Sequence, residues 1–217
     1  MPDHISFCQG PSGVILLDLR RDWYFQLDPA LEPAFRALVH EDGASPDRER
    51  VQQLMTLGVI EHRSGLATRL KPPAVTPAAA SWRDQAPPSR ASFLFAAEVW
   101  RSLRTARAQV ARTPFENIIA RLRARKARRV SSSHDVEALK LWAARFEAAR
   151  RGAPIDAVCL QDSLALLEIY ARRNLYPELV LGVTVAPFAA HCWLQAGGLI
   201  LNEALDEAAP FQPILVV

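Results

Sequence analysis

The sequence predicts an α+β protein of two units, and three observations carry this prediction. Strand-like runs followed by helical patterns occupy about the first 71 residues. Residues 72–90 then contain five prolines, which predicts a linker or a connector lying on the surface. Residues 91–217 form the second unit, with helical patterns first and strand-like runs last. The 217 residues are 50% hydrophobic and 23% charged, an ordinary globular mixture, so both units can bury a core.

The first unit begins with three short strands, rich in β-branched and aromatic residues. They are expected at residues 5–8, 14–19 and 23–27. Turn-forming residues, Pro11-Ser12-Gly13, separate the first two strands. This pattern predicts a three-stranded antiparallel sheet.

Two helices are expected after these strands. Asp28 is expected to cap the first, which has Pro29 at its first position and continues to about His40. Asp47 can cap the second, over residues 48–56, which ends at a glycine; residues 59–61 then begin a closing element. Strands followed by helices predict a small winged-helix-like unit.

The second unit begins with helices and ends with strands. Helices are expected at residues 92–109, at 115–127, from Ser133 or Asp135 to about 150, and from about Cys159, with Asp156 as the cap of the last. Strands are expected at residues 179–185, 190–196 and 199–203. Gly197-Gly198 lies between the last two strands and favours a tight hairpin.

The three cysteines, Cys8, Cys159 and Cys192, are too few and too scattered for a disulfide framework. No Cys/His cluster has the spacing of a zinc site, so no metal is expected. Cysteine is also among the most buried residue types, and the alternative interpretation is that all three are packing residues. The pattern still leaves room for a free thiol with a chemical role.

Charge and hydropathy limit the classes of partner. No apolar run approaches the roughly 20 residues that span a bilayer, and the N-terminus does not resemble a signal peptide, so a cytoplasmic location is expected. Residues 101–129 hold ten Lys and Arg against one acid, Glu116. No nucleic-acid-binding motif accompanies them, so they are interpreted as a solvated helix face. This face is also a candidate surface for a partner protein.

Cys159 and His191 form the best candidate pair for catalysis. A cysteine at a helix N-terminus is favoured as thiolate by the helix dipole, and neighbouring N–H groups can hold an oxyanion. His191 lies on a predicted strand, where alternation places it on the face of Trp193 and Gln195. Cys192 is therefore expected to point away from the imidazole, into the core.

A third residue that orients the imidazole depends on the hairpin register. A two-residue Gly197-Gly198 loop places Asn202 diagonal to His191 and Glu203 on the opposite face. A three-residue loop places Glu203 directly opposite His191. The residues themselves leave the third member open between Glu203 and Asn202.

The run CLQDSLALLEIYARRN from Cys159, followed by LVLGVTVAPFAAHCWLQAGGLILNE, resembles the lasso-peptide B protein peptidase, a transglutaminase-like cysteine protease family. The resemblance implies a transglutaminase/papain-like α+β peptidase domain over residues 91–217, with a catalytic core at about 152–217. It also implies that Cys159 is the nucleophile and His191 the base. By the family's spacing the third member is Glu203, which favours the three-residue loop; the family position often holds Asp.

The N-terminal segment resembles a PqqD-like RiPP recognition element, on the runs VILLDLRRDWYFQLD and LMTLGVI. Such domains bind the leader of a precursor peptide as an added strand beside their third strand. Residues 1–71 are then the recognition domain. The residues expected to contact the leader are Trp23, Tyr24, Phe25, Gln26, Leu27, Val51 and Leu54.

The two resemblances together imply an enzyme that binds the leader of a lasso-peptide precursor and cleaves it from the core peptide. The implied partner is an ATP-dependent, asparagine-synthetase-like lasso cyclase. The chain shows no recognisable cofactor motif, so any ATP dependence is expected to come through the cyclase or a cryptic site. A transglutaminase-type acyl transferase and a non-catalytic leader-binding scaffold are the alternatives.

Overall fold

Two strand-and-helix units, Met1–Ala74 and Val75–Val217, make up the computed structural model of the chain. It describes residues 1–11, 13–39, 47–61, 70–84, 90–127 and 135–217. Both units combine strands with helices, which confirms the α+β prediction.

The first unit contains a three-stranded antiparallel sheet in the order β1-β2-β3, as predicted. Its elements are β1 (Ile5–Gly10), β2 (Gly13–Asp18), β3 (Trp23–Gln26), α1 (Glu32–Val39) and α2 (Arg48–Thr56). One face of the sheet packs on the helices, with Phe7 against Phe35 at 5.0 Å between ring centroids and Leu54 fully buried beside them. The alternating apolar residues of β1 and β2 thus supply the core of this unit.

Four helices of the second unit are α3 (Phe93–Arg112), α4 (Phe115–Ala127), α5 (Val136–Arg150) and α6 (Cys159–Ala171). Ser92 caps α3 and Asp135 caps α5, each through a side-chain oxygen that accepts a backbone N–H. Tyr170 on α6 is fully buried and donates to the carbonyl oxygen of Leu139 on α5, 2.9 Å away. The helices hold α6 from one side, and β6 packs on it from the other.

A five-stranded sheet completes the second unit, in the order β4-β7-β6-β5-β8. Its strands are β4 (Ala80–Ser81), β5 (Glu178–Val185), β6 (Phe188–Ala196), β7 (Leu199–Ile200) and β8 (Gln212–Val216), with α7 (Leu205–Ala208) before β8. β5 and β6 form the longest antiparallel pair, and β4 joins the edge by pairing with β7 in parallel. The sheet presents β6 and β7 to the start of α6.

The predicted start of the first helix is wrong. Asp28 does not cap it: the Asp28 Oδ1 atom accepts from Ala30 N at 2.8 Å, and its carbonyl accepts from Leu31 and Glu32. These bonds close a separate turn, and α1 begins only at Glu32. The expected end at His40 lies outside the described residues.

Two other expectations change at the ends of elements. Val59 and Ile60 are buried in the core of the first unit without forming a strand, and the rest of the expected closing element lies outside the described residues. For α5 the alternative cap, Ser133, is also outside the described residues. The last strand of the hairpin, expected to reach residue 203, ends at Ile200.

Residues 72–90 were predicted to be a linker or a connector lying on the surface, and a free linker is wrong for their middle part. Residues 75–83 belong to the second unit, where Ala79 and Ala80 donate to the carbonyl oxygen of Gly198 at 2.8 and 3.2 Å. Proline has no backbone N–H to donate, but the alanines between the prolines do. Their N–H groups form the hydrogen bonds to the edge of the sheet. Residues 85–89 lie outside the described residues.

Candidate active site

Cys159 is the first residue of α6, where the predicted cysteine at a helix start is found. The N-cap residue is Val158, whose side chain has no acceptor, so the predicted cap by Asp156 is wrong. No cap side chain therefore takes up the N–H groups of the first turn. The positive end of the helix dipole lies at this start and favours the thiolate form of Cys159.

β6 brings two consecutive side chains to Cys159. The ring of His191 lies 6.2 Å from that of Trp193, on one face of the strand as predicted. Cys192 lies on the other face, fully enclosed, with its Sγ 3.8 Å from the Oγ of Ser163. Both His191 and Cys192 lie close enough to the Cys159 sulfur to lower its pKa. Cys192 is thus buried as expected, but its thiol faces the candidate nucleophile.

The surroundings of Cys159 favour its thiolate. Hydrogen bonds from the Cys192 thiol, from His191 and from the Cys192 backbone lower the pKa of Cys159 from 9.0 to about 4, although burial opposes the shift. The pKa of Cys192 is raised, first by its bond to Cys159 and then by burial. We assign the charge to Cys159 because only this thiol lies at a helix N-terminus and beside an imidazole.

His191 is correspondingly favoured as an imidazolium. Its bond to Cys159, followed by its bond to Glu203, raises the pKa of His191 from 6.5 to about 9 despite burial. Between about pH 4 and pH 9 the site therefore holds a thiolate and an imidazolium. An imidazolium donates from both ring nitrogens, so it can bond sulfur and carboxylate together.

Glu203 forms a hydrogen bond with the ring of His191, with 3.0 Å between Glu203 Oε2 and His191 Nε2. The hairpin nevertheless has the two-residue loop, because Gln195 pairs with Ile200. The expected three-residue register is wrong. Residues 201–203 leave the strand direction once β7 ends, so alternation no longer governs which side Glu203 faces.

The carboxyl group of Glu203 is held ionised. Burial raises its pKa, but hydrogen bonds from His191 and Glu207 and the charges of His191 and Arg83 together lower it to about 2. A carboxylate at this position stabilises the imidazolium and fixes the ring orientation.

Asn202, the alternative third member, is committed elsewhere. Its Oδ1 accepts from Leu194 N at 2.6 Å, and its Nδ2 donates to Ser163 Oγ at 2.9 Å. Both ends of the amide therefore tie the loop after β7 to β6 and α6. This geometry brings Cys159, His191 and Glu203 together and leaves Asn202 as a structural neighbour.

An aromatic wall surrounds the imidazole. Phe211 lies 5.1 Å from His191 between ring centroids, and Trp193 packs along the same strand face. Gly182 pairs with His191 across β5 and β6. A Cβ at Gly182 would lie 2.8 Å from Phe211 Cβ and 2.9 Å from the Trp193 ring, so only glycine lets both rings close on this side.

Several residues at the site were not singled out by the sequence. They are Ser81, Arg83, Ser163 and Phe211. Arg83 donates to Glu203 Oε1 at 2.9 Å across 120 positions of chain. No local pattern marks such a residue, because its partner is distant in the sequence. Ser163 carried a weak signal, as a small polar residue on an otherwise apolar stretch of helix.

The residues expected to contact a leader divide by burial. Leu27 and Leu54 are 2% and 0% exposed and belong to the core of the first unit, which does not fit the predicted contact. Their apolar side chains are the ones that the small sheet needs against its helices. The partly or largely exposed members are Trp23, Tyr24, Phe25, Gln26 and Val51.

The basic stretch of the middle helices makes ion pairs within the unit. Arg125 pairs with Glu168 at 3.0 Å, and Lys126 pairs with Glu178 at 3.2 Å. In the described ranges no group of three His, Cys, Asp or Glu side chains is placed to hold a metal ion. The helices in those ranges also include none that is long and apolar enough to cross a membrane.

Comparison with known proteins gives the family. The model of the family described as "Transglutaminase-like superfamily" matches residues 100–216, which contain Cys159, His191 and Glu203. The chain belongs to the transglutaminase-like superfamily. This match confirms the predicted class of the second domain.

A second comparison relates this transglutaminase-like chain to a curated protein. The microcin J25-processing protein McjB of Escherichia coli is 44% identical over 46 residues, which are 21% of this chain and 22% of McjB. The chain therefore matches about a fifth of the length of that relative. No solved structure gives a significant match. Both matches support the predicted resemblance to the B proteins of lasso-peptide biosynthesis.

Proposed function

We propose that this protein is a cysteine endopeptidase that removes the leader from a lasso-peptide precursor. The observation that carries the proposal is the arrangement of Cys159 at the start of α6, beside His191, which lowers the pKa of the thiol, with Glu203 Oε2 3.0 Å from the Nε2 of the same ring. A nucleophile, a base and an orienting acid in this order form the machinery of acyl transfer through a covalent intermediate.

The chemistry follows from the protonation states. The Cys159 thiolate attacks the carbonyl carbon at the junction of leader and core, and N–H groups of the first turn of α6 stabilise the oxyanion. His191 gives its proton to the leaving amine as the C–N bond breaks, which leaves a thioester on Cys159. The neutral imidazole then takes a proton from water, whose attack on the thioester releases the acid and restores the thiolate–imidazolium pair. Glu203 keeps the imidazole aligned in both steps.

The first unit is proposed to bind the leader at β3. This strand lies at one end of the sheet order, and Trp23 at its start is 62% exposed. A peptide that adds there as a strand gains backbone hydrogen bonds, while an exposed aromatic side chain supplies apolar contact. Holding the leader raises the effective concentration of the scissile bond at Cys159.

The released core peptide is proposed to pass to an ATP-dependent, asparagine-synthetase-like cyclase. The resemblance of the chain to the lasso B proteins supports this partner. ATP dependence, if any, then belongs to the cyclase or to a cryptic site. The basic helices over residues 101–129 are a candidate surface for the cyclase.

The test uses the full chain with its cognate precursor and the partner cyclase. Leader release is followed by mass spectrometry for the wild type and for Cys159→Ala, Glu203→Gln and Asn202→Ala, with leader affinity measured in parallel. We expect Cys159→Ala to bind leader but not cleave. Glu203→Gln should lose most of kcat, whereas Asn202→Ala should lower thermal stability more than kcat.

The alternatives give different results in the same experiment. Undiminished cleavage by Cys159→Ala contradicts the thiol protease and leaves a leader-binding scaffold. A product that forms only when an amine is added, and that carries this amine, indicates a transferase. Loss of cleavage in Asn202→Ala with unchanged stability would move the orienting role from Glu203 to Asn202.

A further inference from the structure

The segment before the helices of the second unit is bonded to the loop that carries Glu203. β4 pairs in parallel with β7, and Trp82 N donates to the carbonyl oxygen of Ile200 at 3.1 Å. The Trp82 indole N–H donates to the carbonyl oxygen of Leu201. Ser81 Oγ donates to the backbone carbonyl of Glu203 at 2.6 Å. The backbone position of Glu203 therefore depends on residues 80–83.

The same segment delivers Arg83 to the Glu203 side chain. Arg83 Nη1 lies 2.9 Å from Glu203 Oε1, while the other carboxylate oxygen contacts His191 at 3.0 Å. The Arg83 backbone N–H donates to Ser81 Oγ at 3.0 Å, which fixes the root of its side chain. One carboxylate thus bridges the imidazole and the guanidinium, with a different oxygen for each.

This second anchor has a physical reason. A glutamate side chain has one more rotatable bond than an aspartate, so holding its carboxylate in one orientation costs more rotamer entropy. A carboxylate that has only one hydrogen bond, to the imidazole, can rotate about that hydrogen bond and misalign the ring. A second hydrogen bond, from a planar guanidinium, fixes the carboxylate plane.

Arg83 also balances the charge near Glu203. Glu207 Oε2 lies 3.5 Å from Arg83 Nη1, and Glu147 Oε1 lies 3.6 Å from its Nη2. Three carboxylates therefore share one guanidinium. Without it, the Glu203 carboxylate would lose the cation that lies between it and Glu207, and with it one of its two charged partners.

We propose that Arg83 is a positioning residue of the site, which acts on His191 only by holding the Glu203 carboxylate in place. The proposal rests on the proposed proteolysis and deepens it. Arg83 touches neither the thiol nor the imidazole among the described contacts, so its effect must pass through Glu203. The segment before the helices is then part of the catalytic unit.

The test compares Arg83→Met with Arg83→Lys in the full chain. We expect Arg83→Met to lower kcat for leader release about tenfold with KM unchanged, because only alignment in the transition state is lost. Arg83→Lys should recover part of kcat, since lysine restores the charge but not the planar fork. In a Glu203→Gln background, Arg83→Met should change kcat less than twofold, because coupled residues are not additive.

A matched control is available in the first unit. Arg36 pairs with Glu32 at 3.2 Å, and the two side chains are 39% and 16% exposed, the same fractions as for Arg83 and Glu203. Arg36→Met therefore removes an ion pair of the same exposure from the other unit, and kcat should not change. Thermal unfolding of each variant identifies any loss caused by misfolding.

A measurement without substrate separates this proposal from the proposed function. NMR titration of the His191 ring, assigned with His191→Gln, should show a lower pKa in Arg83→Met than in the wild type, where it is about 9. Without Arg83 the Glu203 carboxylate is held less firmly and stabilises the imidazolium less, which lowers the pKa of His191. Loss of the positive charge of Arg83 acts in the opposite direction, but this effect is smaller because the side chain is partly exposed and screened by solvent. Cleavage that survives Cys159→Ala would overturn the proteolysis while leaving this titration result intact. Two results would overturn the role of Arg83. One is that Arg83→Met changes neither kcat nor the pKa of His191, and the other is that it lowers kcat equally in the wild type and in Glu203→Gln.

Discussion

At the scale of single residues, the site depends on two thiols that compete for one proton. Cys192 is enclosed by protein and Cys159 is half-buried, yet the charge resides on Cys159. The helix start, the imidazole and the Cys192 thiol all favour the thiolate of Cys159, whereas the bond to Cys159 and burial both raise the pKa of Cys192. Cys192 therefore does more than fill space, because it is the first cause of the lowered pKa of Cys159.

This role predicts the effect of Cys192→Ala on the titration of Cys159. Removing a donor to the thiolate raises the pKa of Cys159 from about 4, by about one unit for each 1.4 kcal/mol lost. Alkylation by iodoacetamide should therefore slow at pH 5 and stay unchanged at pH 8, where both proteins are fully ionised. Cys192→Ser should retain a donor and show a smaller shift.

Cys8 serves as the internal control of that titration. Burial raises the pKa of Cys8 to about 11, so it should not be alkylated at either pH, and Cys8→Ala should leave the curve unchanged. If folded Cys192→Ala has the same pH midpoint for alkylation of Cys159 as the wild type, Cys192 does not stabilise the thiolate.

The sequence predicted the placement of Cys159 and His191 better than the way Glu203 reaches the ring. Helix starts and strand alternation are local, so the positions of Cys159 and His191 follow from their neighbours. Alternation left two hairpin registers open, and the one that the family's spacing favoured is wrong, because the strand stops at Ile200 and the chain then turns. The position of Glu203 is set by Ser81 and Arg83, which are more than a hundred residues earlier in the chain.

At the scale of elements, the pairing of β5 with β6 supports the imidazole. His191 is packed by Phe211 before β8 and by Trp193 on its own strand. Trp193 in turn donates to Gln195 Oε1 at 2.9 Å. These contacts restrict the ring before any substrate binds, which is what preorganisation of a base requires.

Gly182→Ala tests this packing. The added methyl would lie within 3.0 Å of both Phe211 and Trp193, so one of the rings must move. We expect a loss of stability of about 1–3 kcal/mol, as for other overpacked cores, together with lower kcat. Thermal unfolding and leader release measure the two effects. Gly152→Ala is the control, since its nearest neighbour is the Ala149 carbonyl at 3.7 Å, and unchanged packing there should leave both quantities intact.

The sequence predicted the boundary of an element correctly where a residue next to it caps the helix. The prediction was wrong where contacts with distant parts of the chain set the boundary. Asp47 and Asp135 cap α2 and α5 through their own side chains, as the sequence indicated. Asp28 has the same chemistry but closes a turn instead, so that Leu31 can enter the core. The short β4 depends wholly on its pairing with β7 and has no strand pattern of its own.

At the scale of the whole molecule, two units divide binding from chemistry in the proposed mechanism. The sequence predicted both units, because each has its own apolar periodicity. It placed residues 75–83 in a linker, since proline-rich composition does not reveal that a segment completes a sheet edge. If the division of roles is correct, damage to the leader-binding strand should leave the thiolate site intact.

Trp23→Ala tests this division. The side chain is 62% exposed at the start of β3, so its removal should cost the first unit little stability. If it contacts the leader, its loss should raise KM for the precursor about tenfold with kcat unchanged, the result expected for binding shared by ground state and transition state.

Alkylation of Cys159 at pH 5 should proceed at the wild-type rate. The control is Trp100→Ala, which removes another exposed tryptophan, 41% exposed on α3, and should leave KM unchanged. Equal KM for Trp23→Ala and the wild type would mean that the leader binds elsewhere, and a changed alkylation rate would mean that the two units are not independent.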